Sequence, residues 1–339
     1  MRDSTRKRHK YRDGLAARQR GVAIIMALLV VALVATLAAA IVWRELVAVR
    51  DVSNQRLGTE TMWAERAAVE WARVTLREQA AQANVSFYGQ QWSQPVADVQ
   101  LASFLPRDAA AVNSDLAGAY ISGQVEDAQA KFNLMDLVSR PGPSQPWQAD
   151  PNGLLAYRRL LGALSLNPAL AQLTATNILA SLGDGNGAAG WPLQIVTLQD
   201  LARVPGYDAD SIRTLSDFVT ILPDYTTINA NTASEPALVA AIPALSSEQA
   251  HMLTERRSSA YFVSTGDIAL LLAPLTAALG STSGGLPTGS LADVNSGYFI
   301  VHCRIHSARI NTRIDTLIAR YGIGQYAWTS VIWVHRIAG

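Results

Sequence analysis

The chain opens with a long proline-free stretch, the feature that most limits how it can fold. Pro95 is the first of 14 prolines. Within this stretch, 23 uncharged residues lie between Arg20 and Arg44. As a helix they extend about 35 Å at roughly 1.5 Å per residue, which is enough to cross the hydrocarbon core of a bilayer. The sequence therefore predicts a membrane-spanning segment at 22–43 that continues as one long helix to residue 83.

The segment after the apolar run keeps a helical period. Small or apolar residues recur at spacings of three and four, which is typical of one face of a helix. We expect this face to pack against a folded domain. Its members are Leu57, Thr61, Ala64, Ala67, Trp71 and Val74.

Charge is divided unevenly along the chain. Residues 2–20 hold eight basic and two acidic side chains, a charge of +6, so the rest of the chain sums to −5 although the total is +1. A basic flank predicts that the N-terminus stays in the cytoplasm and that the remainder is exported. The acidic remainder argues against a basic nucleic-acid surface.

Three interpretations fit this N-terminus. The first is a secretory signal peptide, for which the small residues at 38–40 offer a cleavage site. The second is an uncleaved signal anchor. The third rests on Gly21, which separates the charged leader from the apolar run as in prepilin-type leaders. Cleavage there would make Val22 the mature N-terminus and keep the apolar helix. Helical periodicity beyond the membrane favours this third interpretation.

The remaining sequence predicts an α+β fold rather than a doubly wound one. Segments 119–126 and 130–134 are interpreted as strands of a hairpin, 154–279 is mainly helical, and alternating strands return from Phe299. The predicted organisation is a leader at 1–21, a long helix at 22–83, strands within 84–150, an inserted helical domain at 151–290, and strands within 291–339.

Few residues suggest reactive chemistry. Cys303 is the only cysteine, which excludes an internal disulfide and a cysteine-rich zinc site. On a strand, His302 and His306 would stand about 13 Å apart at roughly 3.3 Å per residue, too far to share one ion. No Ser-His-Asp set or Walker-type loop stands out, so we expect a protein that is not an enzyme.

Several segments resemble the general secretion pathway protein K family, the large minor pseudopilin of type II secretion systems. The likeness covers nearly all of the chain after Arg18. It implies a type IV pilin-like fold, with a long N-terminal helix packed on a small antiparallel sheet and a large all-helical domain inserted between the strands. The segments that carry it are RQRGVAIIMALLVVALVATLAAAIVWRE, AKFNLMDLV, LARVPGYDADSIRTLSDFVTILPDYTTINANTAS and SGYFIVHCRI.

The resemblance also implies a function. Such a subunit is cut by prepilin peptidase after Gly21, methylated at Val22, and held in the inner membrane of a Gram-negative bacterium with its C-terminal domain in the periplasm. It joins other minor pseudopilins in a complex at the tip of the pseudopilus, above the major pseudopilin. There it helps to initiate assembly and to limit length during protein export. The secreted substrate and the outer-membrane channel are further candidate partners.

Met26 departs from the pattern of most pilin-like proteins, which carry a glutamate at the fifth residue after the cleaved glycine. A buried carboxylate needs a partner, and in the family picture the partner is the amino terminus of a neighbouring subunit. A tip subunit has no neighbour above it. Met26 is therefore interpreted as a position specific to the tip.

Two weaker patterns suggest calcium. The segment SLGDGNG aligns with an acidic stretch that the resemblance associates with this ion, and Asp184 and Asn186 keep oxygen ligands at alternate positions, as hard cations prefer. Asp293 and Asn295 form a second candidate pair. Calcium is the only cofactor that the sequence suggests.

One alternative is a membrane-anchored DNA receptor of the competence type. Segments 201–206 and 229–257 resemble helix-hairpin-helix modules, which hold phosphate on backbone N–H groups. Segment 195–265, however, carries four basic and eight acidic residues. Because phosphate neutralisation supplies most of the affinity for DNA, we expect no nucleic-acid binding.

Overall fold

The computed structural model describes residues 9–104, 118–142, 144–183, 192–279 and 285–338. The chain divides into two compact units between Trp63 and Ala64. The first helix, α1, runs from His9 to Gln82, so it ends one residue before the predicted end. Among the described residues, it is the helix long and apolar enough to cross a membrane.

Seven further helices follow α1 in the described part of the chain. All lie between residues 151 and 278, where apolar residues follow the helical period. They are α2 Pro151–Ala163, α3 Leu170–Ser181, α4 Ala209–Leu215, α5 Glu235–Ala241, α6 Ser247–Ser259, α7 Thr265–Leu271 and α8 Ala273–Ala278.

The strands fall into a large sheet and short two-residue pairs. Those before the last helix are β1 Val96–Gln100, β2 Tyr120–Asp127, β3 Phe132–Asn133, β4 Val138–Ser139, β5 Gln148–Ala149, β6 Val219–Thr220 and β7 Ile228–Asn229. Those after it are β8 Ala292–Asp293, β9 Tyr298–His306, β10 Asn311–Tyr321 and β11 Trp328–Ala338.

The large sheet has five strands in the order β1-β2-β9-β10-β11, and every pairing in it is antiparallel. Because β2 and β9 are neighbours, residues 128–297 form an insertion between two adjacent strands. This insertion contains all of α2 to α8. The predicted α+β class is therefore confirmed, with a long N-terminal helix and a helical block inserted into one antiparallel sheet.

The predicted face of α1 is right at Leu57 and Thr61, which are buried, and wrong further along the helix. Trp71 and Val74 were expected to pack, yet they are 46% and 42% exposed. Glu65 lies on the buried face, where it pairs with Arg336 of β11. The buried stripe in the second unit is Glu65, Val69, Ala72, Leu76 and Ala80.

The hairpin predicted from 119–126 and 130–134 is wrong. Strand β3 does not pair with β2; it pairs in parallel with β6. The chain leaves the sheet at Asp127, whose side chain accepts from the Gln129 N–H and opens a 3-10 turn at Ala128–Ala130. The segment 209–222 was also predicted to be helical throughout. Its helix, α4, ends at Leu215, and Val219 and Thr220 form strand β6.

The insertion has its own hydrophobic core, and that core begins earlier than the predicted boundary at residues 150 and 151. Phe132, Leu134 and Leu137 are fully buried in one cluster with side chains of α2, α3 and α5. Gly153 of α2 approaches the chain so closely that a Cβ would lie 1.8 Å from the carbonyl oxygen of Asp136. Packing therefore separates the insertion from the sheet just after β2.

Candidate functional site

The junction between sheet and insertion is built around Asp127, the last residue of β2, which is fully buried. Its Oδ2 accepts from Thr232 Oγ1 and Ser296 Oγ, both at 2.6 Å, and from Asn229 Nδ2 at 2.9 Å. Its Oδ1 accepts from the Gln129 N–H at 2.9 Å. Burial raises the pKa of Asp127, against these donors. One carboxylate thus joins the sheet, the insertion and the chain returning to β9.

Arg320 of β10 extends the same junction. Its Nη2 donates to Ser86 Oγ at 2.8 Å, to Asn295 Oδ1 at 3.0 Å and to the Ser296 carbonyl at 2.6 Å. Burial lowers the pKa of this guanidinium to about 10, against the attraction of Asp127. Because buried polar groups must be paired, the segments that supply these partners are held in one arrangement.

A second polar cluster connects the start of the insertion to the region after β6. Asn133 Oδ1 accepts from the Leu222 N–H at 2.9 Å, and Asn133 Nδ2 donates to the Asp224 carbonyl at 2.8 Å. Asp136 Oδ1 accepts from the Thr226 N–H at 2.8 Å. Burial raises the pKa of Asp136 well above its ordinary value. These contacts explain why polar residues interrupt the apolar run FNLMDLV.

Sequence reasoning missed the role of these two clusters. Asn133 and Asp136 were included only in a strand signature, and Asp127, Asn229 and Arg320 were not singled out. The available signal was the presence of Asn, Asp and Arg inside otherwise apolar segments. Such residues are costly to bury without partners, but the sequence does not say which distant groups pair with them.

The outer face of the sheet carries a histidine between two carboxylates. His302 Nδ1 lies 2.7 Å from Asp315 Oδ1, and its Nε2 lies 3.0 Å from Glu126 Oε2. A ring with both nitrogens bonded to carboxylates is the protonated imidazolium. The hydrogen bond to Glu126 raises the pKa of His302. Cys303 faces the opposite side, where burial and the charge of Glu65 raise the pKa of its thiol to about 12.

The predicted processing and tip-specific residues all lie on α1. Gly21 is within the helix, and Val22 and Met26 are exposed in its apolar stretch. This exposure suits a helix whose surroundings are lipid or the helices of other subunits. Cleavage after Gly21 and the meaning of Met26 stay predictions.

The calcium candidates differ in what the structure says about them. Asp184 and Asn186 lie outside the described residues. Asp293 is in β8, and Asn295 follows it, but Asn295 Oδ1 accepts from the Arg320 guanidinium at 3.0 Å. A side-chain oxygen already paired with a cation does not fit a calcium ligand, so we derive no calcium chemistry from this pair.

The second helix-hairpin-helix-like segment forms α5 and α6, joined by a hairpin in which Ala244 has a positive φ of 59°. The Leu245 N–H donates to the Ile242 carbonyl, and the Ser246 N–H donates to Gln249 Oε1. These amides are bonded within the chain rather than presented to a phosphate. Together with the acidic charge of the region, this arrangement favours a packing module over the DNA-receptor alternative.

Comparison with known proteins gives a uniform result. Two family models, both described as type II secretion system protein K, match residues 130–224 and 228–285. Type II secretion system protein K of Pseudomonas aeruginosa is 27% identical over 78% of this chain and 80% of its own length. The protein of the same name from Pectobacterium carotovorum is 27% identical over 65% of this chain and 69% of its own length.

The fold also matches a solved structure. The crystal structure of the GspK-GspI-GspJ complex from enterotoxigenic Escherichia coli contains a chain that aligns with a TM-score of 0.59 and 18% identity, over 85% of this chain and 99% of that one. Family models, relatives and fold agree with the resemblance seen in the sequence. In sequence and in fold, the chain is similar to the type II secretion system protein K family of minor pseudopilins.

Proposed function

We propose that this minor pseudopilin occupies the tip of a periplasmic pseudopilus, where it helps to start assembly and limits length during export of folded proteins. The observation that carries the proposal is the insertion of residues 128–297 between β2 and β9. Asp127, Arg320 and their partners fix this block rigidly on the sheet. A bulky block held in one position would obstruct the addition of another subunit above it.

The N-terminal helix supplies the anchoring part of the proposal. Its apolar stretch would hold the chain in the inner membrane before assembly, with the basic leader in the cytoplasm and residues beyond Trp43 in the periplasm. Met26 removes a carboxylate that would have no partner at the tip. Prepilin peptidase and the major pseudopilin are the expected partners at this stage.

Other minor pseudopilins are the expected partners at the tip. The solved relative with this fold was crystallised in a complex named for GspK, GspI and GspJ. By that likeness we propose a tip complex of the same kind here. Contact with a secreted substrate or with the outer-membrane channel would involve the insertion, which has its own hydrophobic core.

The insertion can be deleted without cutting a strand of the five-stranded sheet, although Asp127 and Arg320 then lose their partners in residues 128–297. Asp127 and Phe299 are cross-strand partners, about 5 Å apart, so a short Gly-Ser linker can replace residues 128–297. We expect the shortened chain to enter the tip complex but to permit longer pseudopili, and we expect secretion to fall. Pseudopilus lengths would be measured by electron microscopy and secretion by the amount of exported protein.

The control for this experiment is the composition of the fibre. Copurification with the other minor pseudopilins, together with a β-rich circular dichroism spectrum, would show that the shortened chain folds and assembles. If assembled fibres then have the wild-type length distribution, the insertion does not limit length and the proposal is wrong.

A further inference from the structure

The two edges of the five-stranded sheet are unlike each other. Edge strand β1 has only five residues, its register shifts between Val96 and Val99, and Asp98 has a positive φ of 40°. Shortness and irregularity are the usual ways in which proteins prevent an edge from pairing with another chain. Strand β1 is therefore protected.

The opposite edge, β11, has 11 residues, and no described strand pairs with its outer side. Between Thr329 and Val334 it carries no charged residue. Half of the backbone donors and acceptors of such a strand point away from the sheet. Apolar side chains remain exposed along it: Trp328, Val331, Ile332, Val334 and Ile337.

The described contacts between β11 and side chains of α1 lie near the two ends of the strand. Near one end, Arg73 of α1 donates to the Thr329 carbonyl at 2.9 Å. Near the other end, Arg336 pairs with Glu65 of α1. These contacts fix both ends of β11 and leave the apolar middle without a cover among the described residues. A long, ordered and exposed edge of this kind is a template for an added strand.

The charged residues near β11 indicate which residues an added strand would carry. Arg304 and Arg313 face each other across β9 and β10, and Arg313 is the register partner of Ile337. Asp315 Oδ1 lies 3.8 Å from Arg313 Nε and offsets part of this positive charge. The side chain of Arg336 is 56% exposed despite its pairing with Glu65. An added strand would therefore be apolar along its middle and acidic at the end that lies beside Arg336.

We propose that β11 accepts a strand from another pseudopilin subunit, which extends the sheet to six strands. The inference rests on the proposed function because it takes the donor from the tip complex. Strand β11 contacts Glu65 and Arg73 of α1, so a subunit of the same fold that packs along this part of α1 brings its own sheet edge to β11. The bulge at Ile332 divides β11, and its longer regular stretch, residues 333–338, is the one that an added strand would pair with. A second copy of this chain is disfavoured because a two-fold pair of β11 strands would bring two such bulges into one ladder.

Hydrogen exchange of the full-length chain in detergent micelles tests this inference. The chain would be measured alone and after mixing with the other minor pseudopilins of its own secretion system. We expect those amides of residues 328–337 that point away from β10 to exchange at least about tenfold more slowly in the complex, since pairing with the added strand bonds them. A complex in which these amides exchange as in the free chain would overturn the inference while leaving the proposed function intact.

A pair of matched variants tests the same surface by affinity. Val334→Lys places a charge on the exposed edge and should weaken association about tenfold. Val263→Lys changes an equally exposed valine in the insertion and should leave association within about twofold. Unchanged binding by Val334→Lys, or self-association through β11, would contradict the inference. If the wild-type chain forms no complex at all, both this inference and the proposed partners are wrong.

Discussion

At the scale of single residues, His302 shows how the sheet fixes an ionisation state. Hydrogen bonds from His302 and Lys131 lower the pKa of Glu126 to about 2, although burial opposes the shift. The pKa of His302 is raised in turn. The pair therefore stabilises the fold fully between about pH 4.5 and about pH 6.5, the ordinary values of the two groups. The stabilisation is lost as pH rises through the folded pKa of His302 or falls towards 2.

We expect His302→Gln to lower the free energy of unfolding by about 1.5 kcal/mol near pH 5.5. The loss should shrink above the folded pKa of His302, where the wild-type ring is also neutral. Urea unfolding of the full chain at a series of pH values measures this difference. His251→Gln is the control, because His251 pairs with Glu235 at an exposed site where such pairs contribute little. A loss independent of pH would contradict the ionised pair.

At the scale of elements, the second half of α1 shows that the spacing of apolar residues does not decide which face of a helix is buried. Both faces of this segment bear small or apolar residues, so spacing alone cannot identify the buried one. The protein turns Ala72 and Leu76 to the sheet and leaves Trp71 and Val74 at the surface. Glu65 is buried although it is charged, because Arg336 pairs with it from a position far along the chain.

Two valines on α1 provide a matched test of this assignment. Val69 is 7% exposed and Val74 is 42% exposed. We expect Val69→Ala to lower the free energy of unfolding by about 2 kcal/mol, and Val74→Ala to change it by less than about 0.5 kcal/mol. Chemical denaturation followed by tryptophan fluorescence measures both. A loss for Val74→Ala that equals or exceeds the loss for Val69→Ala would contradict the described buried face.

At the scale of the whole molecule, processing at Gly21 would change the character of the protein. Removing residues 1–21 converts a chain of charge +1 into one of −5. Gly21 lies inside α1, where glycine weakens a helix by about 1 kcal/mol relative to alanine. That local weakness suits a site that a peptidase must open before cleavage.

We expect the mature chain to begin at Val22 with one added methyl group, and Gly21→Val to retain the whole leader. Intact mass and N-terminal sequencing of the membrane-extracted protein distinguish the outcomes. Gly14→Val is the matched control and should be processed as the wild type. A chain that begins at residue 41 would indicate a secretory signal peptide, and one that begins at Met1 an uncleaved anchor.

The sequence by itself determined the features that depend on neighbours along the chain. The apolar run, the basic flank, most helices of the insertion and the alternating strands β9 and β10 follow from spacing and charge within short windows. The family resemblance rests on segments of the same kind. These features need no knowledge of distant contacts.

Only the tertiary structure decided which distant segments meet. It pairs β3 with β6 rather than with β2, and it decides which face of α1 is buried. It also brings to the Asp127 carboxylate hydrogen-bond donors that lie about 100 residues or more away in the sequence. It also leaves β11 as an open edge, which its sequence cannot reveal because an edge strand and a central strand share the same local pattern. The physical reason is common to all of these features: burial and pairing depend on partners that the local sequence does not contain.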